Sequence, residues 1–145
     1  VERLAILSVA GNFSEVTDQL VQCVADLCAY LTALKKSQSN RIIDELLYIL
    51  QHRYADSSLS LQTVADQLGL TPNYLSSLFK RQMGENFSDY LEKLRIEKAC
   101  QLLRDVQYKV YQVADAVGYT DPRHFAKVFK AATGKTPLAY RNTAR

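Results

Sequence analysis

The spacing of apolar residues indicates helices along most of the chain. Apolar positions recur every three or four residues, as on one face of an α-helix, and the alternating β-branched runs typical of strands are absent from the sequence. The pattern therefore predicts an all-α protein.

One pattern of about thirty residues occurs twice. VADQLGL, residues 64–70, returns forty-nine positions later as VADAVGY, residues 113–119, and a proline follows each copy, at Pro72 and Pro122. The second copy contains one additional residue, Asp121, so later positions pair at an offset of fifty. Phe79, Lys80, Gly84 and Tyr90 then pair with Phe129, Lys130, Gly134 and Tyr140.

Each copy predicts a helix, a short turn and a second helix. Ser60 is suited to cap the first helix, and Gly69 to make the turn, because glycine tolerates a left-handed backbone. Gly118 takes the place of Gly69 in the second copy. Thr71 and Asp121 are suited to cap the two second helices, whose first positions are the prolines.

A long helix is predicted between the two copies. The segment FSDYLEKLRIEKACQLLRDV carries apolar residues on one side and mostly charged residues on the other, over about twenty residues. At ~1.5 Å per residue, this helix would be ~30 Å long. The predicted fold is therefore all-α, with two helix-turn-helix subdomains joined by a long helix and preceded by an N-terminal helical linker or hairpin.

The first forty residues predict one of two helical arrangements. A short helix is expected to end at Gly11-Asn12, and Asn12 with Glu15 resembles the capping box of a second helix. That second helix would carry an apolar seam at Val16, Leu20, Val24, Leu27, Leu31 and Leu34. The seam either packs against the first helix as a hairpin, which its length slightly favours, or pairs residues 14–36 with a second copy as a coiled coil.

A polar segment, KKSQSN, predicts a domain boundary at residues 35–40. Val1 stands where an initiator methionine is expected, so we expect the sequence to be part of a longer protein. Residues 1–40 would then be a helical linker or the end of an upstream sensory or dimerisation region, and residues 41–145 a domain of their own. Within that domain we expect a first unit at 41–90, the connecting helix at 87–106 and a second unit at 107–145.

Basic charge follows each copy of the repeated pattern. Residues 1–40 carry 3 Lys/Arg and 4 Asp/Glu, whereas residues 41–145 carry 15 and 11. The windows 72–83 and 122–136 contain basic residues and no acidic ones. An α-helix fits the ~12 Å major groove of DNA, with its N-terminal side chains on base edges and nearby cations on phosphates. The pattern therefore predicts duplex DNA as a partner.

The outward positions of the two second helices supply the candidate contacts. Arg123 is suited to guanine and Asn73 to adenine, whereas serines discriminate less, so we expect the second copy to read sequence more strongly. Because the ~30 Å connecting helix approaches the ~34 Å repeat of DNA, two successive major-groove segments on one face of the duplex would be engaged, with bending or unequal engagement. Predicted base readers are Asn73, Ser76, Ser77, Arg123, His124 and Lys127, and predicted phosphate contacts are Lys80, Arg81, Lys130 and Lys135.

Three longer segments carry a family resemblance: SLQTVADQLGLTPNYLSSLFKRQMG, YLEKLRIEKACQLL and VYQVADAVGYTDPRHFAKVFKAATGKTPLAYR. Over about residues 41–142, the chain resembles the DNA-binding domain of AraC/XylS-type transcription regulators, in the variety found on response regulators. The resemblance implies seven helices, regulation of promoters, RNA polymerase as a partner and an upstream sensory or receiver domain. It also places the family's base-reading positions on the six base readers named above. Tyr140-Arg141 is predicted to anchor the C-terminal helix rather than to contact DNA.

Other classes of function lack support in the sequence. The three cysteines, Cys23, Cys28 and Cys100, lack metal-ligand spacing, and neither histidine lies in an H-E-x-x-H context, so no metal site, cofactor or enzyme is predicted. No apolar run approaches the ~18 residues of a membrane span, and we expect a cytoplasmic location. Two alternatives to DNA binding are a helical protein-interaction module and an effector-binding helical domain.

Overall fold

The computed structural model describes residues 2–105 and 107–143, and these residues form helices and turns without a strand. The all-α prediction and the expected number of seven helices are confirmed within them. None of these helices combines the length and hydropathy needed for a membrane span, and no cluster of three His, Cys, Asp or Glu side chains in the same residues is arranged to hold a metal ion. The helices are α1 (Glu2–Arg53), α2 (Leu61–Leu68), α3 (Pro72–Met83), α4 (Phe87–Leu103), α5 (Val110–Ala116), α6 (Pro122–Thr133) and α7 (Pro137–Thr143).

The N-terminal segment differs from its prediction. α1 is one helix of 52 residues that continues through Gly11-Asn12 and through residues 35–40. The predicted hairpin is therefore wrong, and so are the capping box at Asn12 and Glu15 and the helix break in KKSQSN. A glycine inside a helix costs only ~1 kcal/mol relative to alanine, and neither segment contains a proline, so the backbone bonds of a continuing helix outweigh these local preferences.

The chain forms two units, Val1–Arg41 and Ile42–Arg145. In the first unit, the apolar positions of the predicted seam are exposed, from 48% for Leu34 to 61% for Leu20. The interpretation of this seam as an intramolecular core is therefore wrong within the described residues.

Two hydrophobic cores fill the second unit. The first core joins the end of α1 to α2 and α3, and the second core lies among α5, α6 and α7. α4 forms a wall of both, because Leu91 and Leu94 pack in the first core, and Ala99 and Leu103 in the second. The fully buried large side chains are Leu46, Leu50, Val64, Leu75, Leu78 and Phe79 in the first core and Leu103, Val113, Val117, Phe125 and Phe129 in the second.

α4 is shorter than predicted. It has 17 residues and ends at Leu103 rather than 106, which gives it a length of ~25 Å. The last carbonyls of a helix need donors from elsewhere, and Arg141 Nε supplies one to the carbonyl of Leu103 at 3.4 Å. Arg141 Nη2 also donates to the carbonyl of Tyr108, and the ring of Tyr140 packs edge-on against Phe129 with centroids 5.4 Å apart. These contacts agree with the prediction that Tyr140-Arg141 anchors the C-terminal helix.

Candidate nucleic-acid interface

Both helix-turn-helix units are built on the capping residues that the sequence predicted. Ser60 Oγ accepts a hydrogen bond from Thr63 N at 3.2 Å, and Thr63 Oγ1 accepts one from Ser60 N at 3.0 Å, so α2 begins with a capping box. Thr71 Oγ1 accepts from the first turn of α3 at 3.4 Å, and Asp121 Oδ1 accepts from the first turn of α6 at 2.9 Å. α3 and α6 therefore start one residue after their caps, as predicted.

The turns of the two units contain glycines in the same conformation but in different surroundings. The backbone is left-handed at both, with φ of +65° at Gly69 and +86° at Gly118. A Cβ built at Gly69 would meet no atom within 4 Å, whereas one at Gly118 would lie 2.8 Å from the carbonyl oxygen of Tyr54 and 3.1 Å from the carbonyl carbon of Ala55. The turn before α6 therefore packs directly on the backbone that follows α1.

The outward face of α3 is a strip of three exposed polar residues, Asn73, Ser77 and Lys80, which we call the α3 strip. They are four and three residues apart, so they lie above one another on the helix, and the buried residues of α3 lie on the opposite side. Ser76 flanks this strip and is half-buried, and Arg81 flanks it on the other side and is exposed. All five predicted contacts of α3 are therefore close to one surface of the helix.

α6 carries the corresponding strip, Arg123, Lys127 and Lys130, which we call the α6 strip. Its residues are exposed and occupy the positions of the α3 strip at the offset of fifty, opposite the buried Phe125 and Phe129. All three residues are cationic, whereas the α3 strip contains one cation. The two outward faces therefore share their geometry but differ in charge.

The other two predicted contacts, His124 and Lys135, lie outside the α6 strip. His124 is displaced by about 100° around the helix from the first residue of the strip, and it occupies the position of Tyr74 in α3. Its ring lies 5.8 Å from that of Tyr119 between centroids, at the edge of an open cleft of about 440 Å³. Lys135 follows the C-cap of α6, and its Nζ donates to Thr143 Oγ1 at 3.3 Å.

Arg95 of α4 joins the two helix-turn-helix units and was not predicted from the sequence. Its Nε donates to the carbonyl of Tyr54, and its Nη2 donates to the carbonyl of Asp56, both at 2.8 Å. Its guanidinium carbon lies 5.6 Å from the centroid of the Tyr119 ring. Burial lowers the pKa of Arg95 from its ordinary value, yet an arginine side chain stays protonated in proteins. One charged side chain thus links the end of α1 to the turn that precedes α6.

The turn that Arg95 contacts is ordered by Asp56. Its Oδ1 accepts hydrogen bonds from Ser58 Oγ at 2.6 Å and Ser58 N at 2.9 Å, and its Oδ2 accepts one from Arg53 at 2.7 Å. These bonds, those from Ser58 first, lower the pKa of Asp56 to about 2. The Asp56 carboxylate stays ionised at every pH above its lowered pKa. The turn therefore retains these hydrogen bonds throughout the neutral pH range.

Solved structures of other proteins share this arrangement. The C-terminal domain of AraT, a response regulator of Geobacillus stearothermophilus, is 35% identical, with a TM-score of 0.69 over 70% of this chain and 84% of that one. The C-terminal domain of the response regulator yesN of Fusobacterium nucleatum is 37% identical, with a TM-score of 0.66 over 68% of this chain and 95% of that one.

Sequence comparisons point to the same family. The arabinose operon regulatory protein of Escherichia coli is 34% identical over 109 residues, which are 75% of this chain and 37% of that protein. The chain spans between 15% and 45% of the length of such curated relatives. The profile of the helix-turn-helix domain family matches residues 64–143, more than half of the chain. The chain therefore belongs to the family of AraC-type helix-turn-helix DNA-binding domains found in transcription regulators.

Proposed function

We propose that this chain reads two successive major-groove segments on one face of duplex DNA, one through α3 and one through α6. The observation that carries the proposal is the pair of strips, which recur at an offset of fifty on helices that each begin with a side-chain cap and a proline. Each strip begins in the first turn of its helix, where helix-turn-helix proteins contact base edges. Since α4 is ~25 Å long and the DNA repeat is ~34 Å, we expect DNA bending or unequal engagement of the two halves.

The contacts divide into readers and phosphate clamps. Arg123 has the largest expected role among the readers, because its fork of donors suits O6 and N7 of guanine. The α6 strip has three cations and the α3 strip has one, which supports tighter DNA binding by the second helix-turn-helix unit. We assign base readout to Asn73, Ser76, Ser77, Arg123, His124 and Lys127, and phosphate contact to Lys80, Arg81, Lys130 and Lys135.

Regulation of a promoter requires partners other than DNA. The response-regulator domains similar to this chain support an upstream sensory or receiver domain in the whole protein, and we further propose RNA polymerase as a partner and a cytoplasmic location. The exposed seam of α1 supports a homodimer formed through residues 14–36.

Affinity for a duplex, measured against salt concentration, tests the proposal. Each phosphate contact made by Lys or Arg releases counterions, so the logarithm of the binding constant should fall with a slope of ~−0.9 per contact against the logarithm of salt. A helical protein-interaction module or an effector-binding domain would show no duplex binding to titrate.

Lys130→Ala should weaken binding to every duplex alike and make the salt slope shallower by ~1, because phosphates are the same in all sequences. Salt titrations on a preferred and an unrelated duplex measure the effect. Lys93→Ala is the matched control, since the Lys93 ammonium is already paired with the carboxylate of Glu85. A loss confined to the preferred duplex would show that Lys130 reads a base.

A further inference from the structure

The exposed face of α1 in the first unit repeats every seven residues. One row of this face consists of residues seven positions apart, and a second row lies between them. A seven-residue apolar repeat is the pattern by which helices pair as coiled coils, and a large exposed apolar surface marks an interaction site. We call this surface the heptad face: Phe13, Leu20, Leu27 and Leu34 in the first row, with Val24 and Leu31 in the second, each between 48% and 70% exposed.

The positions that flank the heptad face are mostly apolar too. The polar side chains lie away from it, where Gln22 Nε2 donates to Asp26 Oδ1 at 2.9 Å. In a parallel, in-register coiled coil, each residue on one flank lies beside the residue five positions later on the other flank of the partner. One flank is formed by Val16, Cys23 and Tyr30, and the other by Val21, Cys28 and Lys35.

We infer that the heptad face is covered by a second copy of this chain, in a parallel and in-register coiled coil that brings Cys23 of one protomer beside Cys28 of its partner. The flanking pairs then match without any like charges, since Val16 meets Val21 and Tyr30 meets Lys35.

The orientation of the pair rests on the proposed function. In a parallel coiled coil, both chains pass residue 41 at the same end, so both DNA-binding units can reach one duplex, as dimeric helix-turn-helix proteins do. An antiparallel pair of these ~22-residue segments would separate the two residue-41 ends by ~30 Å or more. Parallel pairing is therefore the arrangement consistent with binding of two copies to one promoter.

Cross-linking with a short bis-maleimide tests the register. All chains carry Cys100→Ser, which removes the third thiol, and keep their full length. One variant adds Cys28→Ser and retains Cys23, and the other adds Cys23→Ser and retains Cys28. After mixing and re-equilibration, we expect a cross-linked dimer only in the mixture, because Cys23 faces Cys28 while two copies of Cys23 lie on opposite sides of the coiled coil. Cross-linking of either variant with itself would overturn the parallel register, since like flanks meet only in an antiparallel pair.

Sedimentation of the chain without cross-linker tests the pairing itself. Leu27→Asp should convert the dimer to a monomer at the same concentration, because it places a charge in the centre of the heptad face. Ala33→Asp, which adds the same charge at an exposed position on the outer surface of α1, is the matched control and should remain dimeric. A parent chain that stays monomeric would overturn the coiled coil and would mean that a different protein covers the heptad face. A Leu27→Asp chain that stays dimeric would also overturn it and would mean that another segment forms the dimer.

The outcome for the coiled coil is separable from that for DNA binding. A cooperative urea unfolding transition of Leu27→Asp shows that residues 42–145 remain folded, and the monomer should still bind a duplex with the salt dependence of the α3 and α6 contacts. Loss of the dimer with DNA binding retained locates dimerisation in α1. A stable, cross-linkable dimer that binds no duplex would contradict the proposed function while supporting the coiled coil.

Discussion

Gly118→Ala should lower the free energy of unfolding more than Gly69→Ala does, although the two glycines make equivalent turns. Both have a left-handed backbone, which costs an L-residue ~1–2 kcal/mol. At Gly118 the new Cβ would also lie 2.8 Å from the carbonyl oxygen of Tyr54, and this overlap with backbone should add ~1–3 kcal/mol. At Gly69 the new Cβ would meet open space.

Urea denaturation of the parent chain and both variants measures this difference. Gly134→Ala is a second control, because Gly134 has φ of +76° and no atom within 4 Å of the position of a Cβ. We expect Gly69→Ala and Gly134→Ala to cost similar amounts and Gly118→Ala to cost clearly more. Equal losses at all three positions would contradict the close packing of the turn before α6 on the backbone after α1.

Arg123→Ala should weaken binding to the preferred duplex by ~1–3 kcal/mol and relax the preference at one base pair. Arg123 is exposed in the first turn of α6, and its backbone N–H donates to the capping Asp121. The backbone position of Arg123 is therefore fixed at the start of the helix. On an unrelated duplex only the charge of Arg123 matters, and the loss should be smaller.

Fluorescence anisotropy titrations on the preferred and the unrelated duplex measure both losses for Arg123→Ala. Asn73→Ala is the matched variant, since Asn73 occupies the same position in α3, and its cost on the preferred duplex should be smaller because it carries no charge. If Arg123→Ala lost the same affinity on both duplexes, Arg123 would belong with the phosphate contacts.

The helix-turn-helix units could be predicted from the sequence because local chemistry specifies them. Side-chain caps at Ser60, Thr71 and Asp121 and left-handed glycines leave recognisable residues at fixed positions. The duplication supplies the glycine of the turn and the cap of the second helix twice. The positions of the α3 strip and the α6 strip could be predicted once the starts of the two helices were known, since residues four and three positions apart share one face of any α-helix.

The extent of the helices could not be predicted in the same way. Gly11-Asn12 and KKSQSN lower helix stability by a small amount, and whether a helix stops there depends on competing structures that the residues do not reveal. At the end of α4, the carbonyl of Leu103 accepts a hydrogen bond from Arg141, which lies 38 positions away in the sequence.

Arg95 was missed because its partners are backbone atoms distant in sequence. It donates to carbonyls 39 and 41 positions away. The sequence does not indicate which backbone carbonyls lack a backbone donor. A signal was nevertheless present, since Arg95 lies between the core residues Leu94 and Ile96. A long cationic residue at such a position needs acceptors within the protein, because a buried polar group without partners is costly.

Selection of bound sites from a random duplex pool tests the central claim most directly. Two reading helices held by one chain should select two short boxes, with centres ~10 base pairs apart on one face of the duplex. The box read by α6 should be better defined than the box read by α3, because Arg123 and Lys127 stand where Asn73 and Ser77 stand in the first unit. Recovery of a single box, or of no preferred sequence, would contradict reading by two helices.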